Sequence, residues 1–449
     1  MRKSSAILFG LVLLTALSFA RPIPPAPAAQ DVLLSRIDAI LSPAYKAGEP
    51  GAALLIQKDG QALARKAYGT ADLELGIALE PDMVFRIGSM TKQFTAVSIL
   101  MLMEQGKLAL NDPLTKFLPD YPLQGRTVTV EHEWLPLWRN DMTVAEIIAL
   151  FKDKPFDFEP GEKWAYNNSG YILLGAIIEK VSGLTYEAFL QKNLFDPLGL
   201  KHTYYGSSTR IIPRRIPGYG PGPNGTFLNA EYLSMTQPYA AGSLLSNVDD
   251  LAAWNDALLA GKLIKRETLE KAWTPYKLKD GSSSGYGYGW SIGDYEGHRM
   301  IRHGGGINGF STDGILFPED KLFVTLLTNS AIPARAPEPY GMKIAAIALG
   351  KPMPETRTAI TVDPKIFDPY VGEYELAPGF SIKFFRQGAK FMTQASGQAA
   401  FEIFPESETK FFLKVVDGQV EFVKDAAGKV TGMVLTQNGR KMPGQRLAK

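Results

Sequence analysis

The chain has no cysteine. That excludes disulfides, a thiolate nucleophile and a lipid-bearing cysteine. Histidine is nearly as scarce, four in 449 residues, and no cluster of metal-ligand types surrounds them. Neither a metal nor an organic cofactor is expected. Excess charge is also missing: 48 Lys and Arg face 46 Asp and Glu, a net +2, and no basic run offers a nucleic-acid track. Nucleic acid is therefore not an expected partner. A spanning apolar segment is absent too. The N-terminal run at residues 6–14, continuing to 20, is short for a bilayer, and the Pro-rich residues 21–27 cannot extend it as helix. With Arg2-Lys3 ahead of it, and Ser18-Phe19-Ala20 or Ala26-Pro27-Ala28 as cleavage sites, residues 1–29 read as a signal peptide and Pro-rich junction. An exported chain, periplasmic or secreted, with no spanning segment in its mature form is expected.

What the chain has in quantity is core-forming material, 45% hydrophobic over a length that exceeds one small domain. An amphipathic helix is expected over 32–41, then a hairpin of 51–58 and 61–69 around Asp59-Gly60. Helical patterns fill 91–263, broken by a Gly/Pro loop at 219–225. Strands return at 285–293, 298–302, 312–317 and 322–328. Strands at both ends of a helical middle imply one α/β domain over 30–350, its sheet built from both ends. Residues 351–362 read as a linker. Residues 363–449 show seven short alternating strands between 372 and 436, a small antiparallel barrel or sandwich.

Three short motifs carry chemistry. Ser89-Met90-Thr91-Lys92 puts an amine one helical turn from a hydroxyl, close enough to take its proton. The extended segment 83–88 precedes it, and residues 91–104, apolar on nearly every face, follow it. A helix of that kind is buried. Ser89 then stands at its N-terminus, where unpaired N–H groups and the helix dipole favour an oxyanion, though a plain N-cap serine fits the same position. A second Ser-x-x-Lys, Ser407 to Lys410, falls among the C-terminal strands and reads as coincidence. Tyr166-Asn167-Asn168 lies in a loop before an apolar helix at 171–181. His303-Gly304-Gly305-Gly306 offers glycines that let backbone approach a ligand. Gly281-Ser282-Ser283-Ser284-Gly285 matches a nucleophile elbow in letters only. It sits in a polar loop, and the glycine-rich motif follows it where it should precede.

In the order Ser-x-x-Lys, Tyr-x-Asn, His-x-Gly, the chain resembles the penicillin-recognising serine hydrolases. The branch is that of class C β-lactamases, D-alanyl-D-alanine carboxypeptidases, D-aminopeptidases and esterases. Phe156-Asp157-Phe158-Glu159-Pro160-Gly161, Gly242-Ser243-Leu244, Gly287-Tyr288-Gly289-Trp290 and Gly309-Phe310 are similar to that family as well. Tyr370-Val371-Gly372-Glu373-Tyr374 resembles the lipocalin-like domain often appended to its members. The resemblance implies a β-lactamase-like fold, a mixed antiparallel sheet flanked by helices plus an all-helical lobe, followed by a small β-barrel.

It also implies roles: Ser89 as acylated nucleophile, Lys92 and Tyr166 as the proton-shuttling pair, and Asn168 orienting substrate and Lys92. The N–H groups of Ser89 and Gly306 would form the oxyanion hole, and His303 and Gly305 would line the substrate strand. Lys92 and Tyr166, buried round one hydroxyl, are expected to lower each other's pKa. Two departures stand out. His303 replaces the lysine usual in true lactamases, which favours amide or ester substrates over β-lactams. After Glu131-His132 a family loop is missing, so the cleft beside Ser89 should be wider. The implied activity is acyl-enzyme hydrolysis of D-amino-acid peptides or esters, peptidoglycan fragments included. A class C β-lactamase, or a penicillin-binding sensor with little turnover, is the alternative.

Overall fold

The computed structural model describes residues 27–121, 139–154, 158–354, 359–377, 380–396, 400–413, 418–437 and 440–447. The signal-like run at 6–20, the segment after His132 and Phe156-Asp157 lie outside them.

The first helix, α1 (Pro27–Ala44), begins five residues before the expected start at 32 and ends three after 41. Strands β1 (Ala52–Lys58) and β2 (Gln61–Tyr68) form the expected hairpin. Asp59 and Gly60 both take positive φ, 49° and 74°, the turn that matches strand twist. After the helical middle come β3 (Ser291–Tyr295), β4 (His298–Ile307), β5 (Phe310–Phe317) and β6 (Leu322–Thr328). The six strands make one antiparallel sheet in the order β3-β4-β5-β6-β1-β2. The two ends of the domain meet where β1 pairs with β6, Ala52 opposite Thr328.

Strand β1 is buried on both faces, so its sequence shows no polar alternation. Leu54 and Ile56 pack with Ile37 of α1 and Ile344 of a late helix, Glu338–Leu349. Ala53 and Leu55 face the opposite core with Phe94 and Val97. Those two belong to α2 (Thr91–Glu104), which is buried on every face for most of its length.

Two sheet strands differ from expectation. β3 starts at Ser291, because Gly285 and Gly289 take φ of 72° and 87° and turn the chain first. β4 runs on through the glycines to Ile307, because β5 continues to pair with it.

The C-terminal part is a closed eight-stranded antiparallel barrel, β7 (Gly372–Ala377) to β14 (Arg440–Arg446). A 3₁₀ stretch, Pro364–Tyr370, drops Phe367 and Tyr370 into it. Phe367 stacks on Phe391 at 4.8 Å and Tyr370 on Phe422 at 4.3 Å. Eight strands leave an interior just wide enough for side chains, and rings occupy this one. The sequence pattern located seven of its strands; β14, with Lys, Pro and Gly in seven residues, lacked the apolar alternation. Among the described residues no helix is long and apolar enough to cross a membrane.

Candidate active site

Ser89 lies in a 3₁₀ turn, Gly88–Met90, at the mouth of α2. The first amides of a helix have no intrahelical partner, so the Ser89 N–H is available there. Gly88 takes φ of 50°, and a Cβ on it would lie 3.1 Å from the backbone nitrogen of Gly306. Only glycine permits both, and this contact brings the Ser89 turn against β4. Gly305 closes the same joint: a Cβ there would meet the Ile87 carbonyl oxygen at 2.0 Å. Gly305 thus packs on the serine turn, while the Cβ position of Gly306 faces open space. Beyond Arg302, β4 has no partner on its β3 side, leaving 303–307 as a strand edge.

Lys92 is wholly buried. Its Nζ donates to Ser89 Oγ at 3.2 Å, Asn168 Oδ1 at 2.8 Å and the Ala241 carbonyl at 2.9 Å. All three are neutral acceptors. With no carboxylate in that set, burial pulls the amine down to about 7. The ring of Tyr166 lies 4.8 Å from Nζ, and that of Tyr171 lies 5.3 Å away.

Asn168 reaches Lys92 because its neighbour does the capping. The helix Ser169–Ser182 takes its cap contact from Asn167, whose Oδ1 accepts the Gly170 N–H at 2.9 Å.

Tyr166 departs from expectation. Burial pushes its hydroxyl up to about 12, against a smaller downward pull from the Ser89 hydroxyl beside it. Tyr166 as a whole still shows 45% of its surface to solvent, so the burial concerns the hydroxyl end facing Ser89. The pair therefore does not share a mutual lowering. Of the two, the lysine alone is substantially deprotonated near neutrality.

His303 is buried beside Tyr166, ring centroids 6.1 Å apart. Its Nδ1 lies 2.5 Å from the Gly304 carbonyl oxygen, which can only accept, so Nδ1 carries the proton. Nε2 is then an acceptor, and the Tyr286 hydroxyl donates to it at 2.6 Å. Burial pushes the imidazole down to about 4, with Lys92 and Arg302 adding to the shift and the Gly304 bond opposing it. His303 is neutral at physiological pH, with both nitrogens engaged. Burial also raises the Tyr286 hydroxyl, keeping it a proton donor.

The structure thus brings Ser89, Lys92, Tyr166, Asn168, His303 and Gly306 to one place, with Gly305 as the packing joint beneath. Sequence reasoning missed Tyr286 and the Ala241 carbonyl. Tyr286 had a signal, the alternating Gly285-Tyr286-Gly287-Tyr288-Gly289, but the Ala241 carbonyl had none, since every residue carries one. Ser407 and Lys410 form a local turn, where Ser407 Oγ accepts the Lys410 N–H at 3.0 Å. Among the described residues no group of three or more His, Asp or Glu side chains could hold a metal ion.

The chain is similar to known proteins over most of its length. Penicillin-binding protein 4* of Bacillus subtilis (strain 168) is 29% identical over 411 residues, 83% of this chain and 90% of that one. A D-aminopeptidase of Gluconobacter oxydans (strain 621H) is 26% identical over 348 residues, 73% of this chain and 64% of its own length. The solved octameric penicillin-binding protein homologue from Pyrococcus abyssi superposes with a TM-score of 0.63 at 27% identity, covering 92% of this chain and 99% of that one. Residues 356–446 match a family model described as a domain of unknown function (DUF3471). Residues 37–348, well over half of the chain, match the model described as Beta-lactamase, and the chain belongs to that family.

Proposed function

We propose that the chain is an exported serine hydrolase that forms an acyl-enzyme on Ser89 and acts on D-amino-acid amides or on esters. The observation that carries this reading is Lys92: wholly buried, with no carboxylate among the acceptors of its hydrogen bonds, and 3.2 Å from the Ser89 hydroxyl. A lysine amine held near 7 is a base at the pH where a hydroxyl needs one.

In the proposed sequence, the neutral Lys92 amine takes the Ser89 proton as Oγ attacks the substrate carbonyl. The carbonyl oxygen becomes an oxyanion between the N–H groups of Ser89 and Gly306. Such donors typically contribute about 10²–10³-fold in rate. Tyr166, protonated below about 12, passes a proton to the departing amine or alcohol, and Lys92 supplies the replacement. Water then enters, gives its proton back through the same pair, and releases the acid from Ser89. Asn168 holds Lys92 through its Oδ1 and offers its Nδ2 N–H groups to the substrate.

Neutral His303 presents no cation to a substrate carboxylate at this strand edge, which supports amides or esters ahead of β-lactams. The D-aminopeptidase relative points the same way. The relative named as a penicillin-binding protein favours a second reading, a protein acylated by β-lactams with little turnover. Export rests on the apolar run at 6–20.

A fluorophosphonate or penicillin probe should label Ser89, and equal labelling of Ser89→Ala would refute the acyl-enzyme. A parallel assay with an aryl ester, a D-alanine amide and a chromogenic cephalosporin ranks the substrates. Fast cephalosporin turnover would put β-lactams ahead of amides and esters, and stable labelling without turnover selects the sensor. N-terminal sequencing of the protein made in a bacterial host tests export.

A further inference from the structure

The short strand Phe85–Arg86, just before the Ser89 turn, carries an arginine with no acidic partner among the described residues. Arg86 is largely surrounded by protein, and its guanidinium lies 6.0 Å from the Phe310 ring centroid. It lines a pocket of about 440 Å³ that Arg215 also lines, with Asn229, Tyr232, Asn308 and Phe310. Arg215 Nη1 donates to the Ser207 carbonyl at 2.7 Å. Among the described residues no ion pair reaches either guanidinium. Other arginines differ: Arg214 pairs with Glu80 and Asp82, Arg65 with Asp249, and Arg302 with Asp313. One carboxylate, Glu231, lies on the pocket wall, but it is exposed, and the contact it makes there is through its main-chain oxygen, to Asn308.

A second guanidinium beside the partly desolvated Arg86, without a counter-charge, is costly, because it disfavours the charge of Arg86. The effect on Arg86 is visible: burial lowers its pKa, and Arg215 lowers it further. The cost is relieved when an anion enters. A guanidinium presents a planar fork that matches a carboxylate through two parallel hydrogen bonds. The rest of the wall mixes polar groups, Ser207, Ser208, Asn229 and Asn308, with apolar ones, Ile216, Leu233 and Met235, which suits an organic acid with polar and apolar parts better than a bare inorganic anion. The volume is that of a small-molecule site.

We propose that this pocket is a carboxylate-binding site, with the Arg86 and Arg215 guanidiniums as its anion-binding groups. The inference stands apart from the hydrolase reading, since it concerns binding alone. The carboxylate belongs either to the acidic end of a substrate or to a separate organic acid. In both cases it would touch the chain segments that lead into Ser89 and out of Gly306, because Arg86 precedes the one and Asn308 follows the other.

Glutarate titrated by calorimetry into the intact protein at low ionic strength should bind saturably. Arg215→Gln, at an exposed position that leaves the fold intact, should weaken it by about tenfold or more. Arg86→Gln should do the same. Glutaramide, the uncharged analogue, should not bind. Absence of glutarate binding, equal binding by Arg215→Gln, or tighter binding of inorganic phosphate than of glutarate would overturn the proposal. The source is separated by kinetics on 4-nitrophenyl acetate and mono-4-nitrophenyl glutarate. A substrate carboxylate predicts that Arg215→Gln raises KM at least about tenfold more for the glutarate ester. A separate acid predicts instead that free glutarate alters hydrolysis of the acetate ester. Ser89→Ala should bind glutarate as the parent does, so loss of the hydrolase reading would leave this result untouched.

Discussion

The two parts of the molecule solve burial in opposite ways. The barrel core is almost wholly aromatic and aliphatic, and Thr393 is the one residue it contributes to the buried polar set of the described chain. The α/β part buries Lys92, His303, Asp313, Asn329 and a series of threonines and serines within the same shell as its apolar core. A barrel sealed by Phe367, Tyr370, Phe391 and Phe422 gains stability from ring packing and leaves no interior room. The α/β core gives some of that up to hold an amine and an imidazole in neutral form. One region is built to persist and the other to react, and substitutions should separate the two.

The largest effect is expected at Lys92. Lys92→Met should slow Ser89 labelling by about 10³-fold or more. The melting temperature should hold or rise, because an amine buried without a counter-charge is removed. A melting temperature that fell together with the rate would make Lys92 a structural residue. In the parent, labelling should rise with pH through about 7, since the protonated amine has no lone pair to accept the serine proton. A rate unchanged between pH 5 and 8 would remove Lys92 as the base.

Phe422→Ala in the barrel should do the reverse. Loss of a ring packed against Tyr370, Tyr374, Phe384, Phe391 and Phe411 should cost roughly 3–5 kcal/mol in unfolding free energy. The labelling rate of the folded protein should stay as it was. Denaturant melts set beside probe kinetics check both halves, and a fall in rate would mean that the barrel tunes the cleft.

Glu338 tests the comparison from behind the sheet. Its Oε2 is buried without a partner, next to Asp313, and burial followed by the Asp313 charge raises the carboxyl to about 7. Its folded pKa lies above the ordinary carboxylate value, so folding takes up a proton. Stability should therefore fall as pH climbs from about 4.5 to about 7. Glu338→Gln should recover up to about 3 kcal/mol at pH 8 and very little at pH 5. Equal effects at both values would show that Glu338 is not titrating in that range.

The smallest effect is expected at Tyr286. Tyr286→Phe removes the hydroxyl that donates to His303 Nε2 and should lower the labelling rate by about tenfold or less. The imidazole should stay neutral, because burial and not this bond holds it down at about 4, and NMR of the four histidines checks that. An unchanged rate would leave the bond without consequence for the site.

Much of this was legible in the chain. The Ser89–Lys92 spacing, the apolar 91–104 segment and the Asp59-Gly60 turn are local facts, and local facts survive folding. The barrel announced itself by regular short strands, yet β14 stayed hidden, because it pairs with β13 (Val430–Gln437) and β7 through backbone and needs little apolar side chain. What could not be read were the contacts made across long distances. The Ala241 carbonyl on Lys92 and the Tyr286 hydroxyl on His303 depend on which segments the fold brings together. The direction of the Tyr166 shift depended on how deeply its hydroxyl is enclosed, which no residue pattern records.

The pairing of β1 with β6 has a consequence for how the protein is made. Residue 52 waits, as the ribosome works, for a partner at residue 328. During that interval Ser89 and Lys92 have already been made, on a 14-residue segment that is marginal as helix until it packs. Asn168, Ala241 and Gly306 emerge later, and the serine turn gains its β4 seat only when the sheet closes. A half-made chain thus holds a nucleophile with no cradle for the charge it would create. Reactivity arrives with the final stage of folding, after the long-range contacts that define a slow folder are in place.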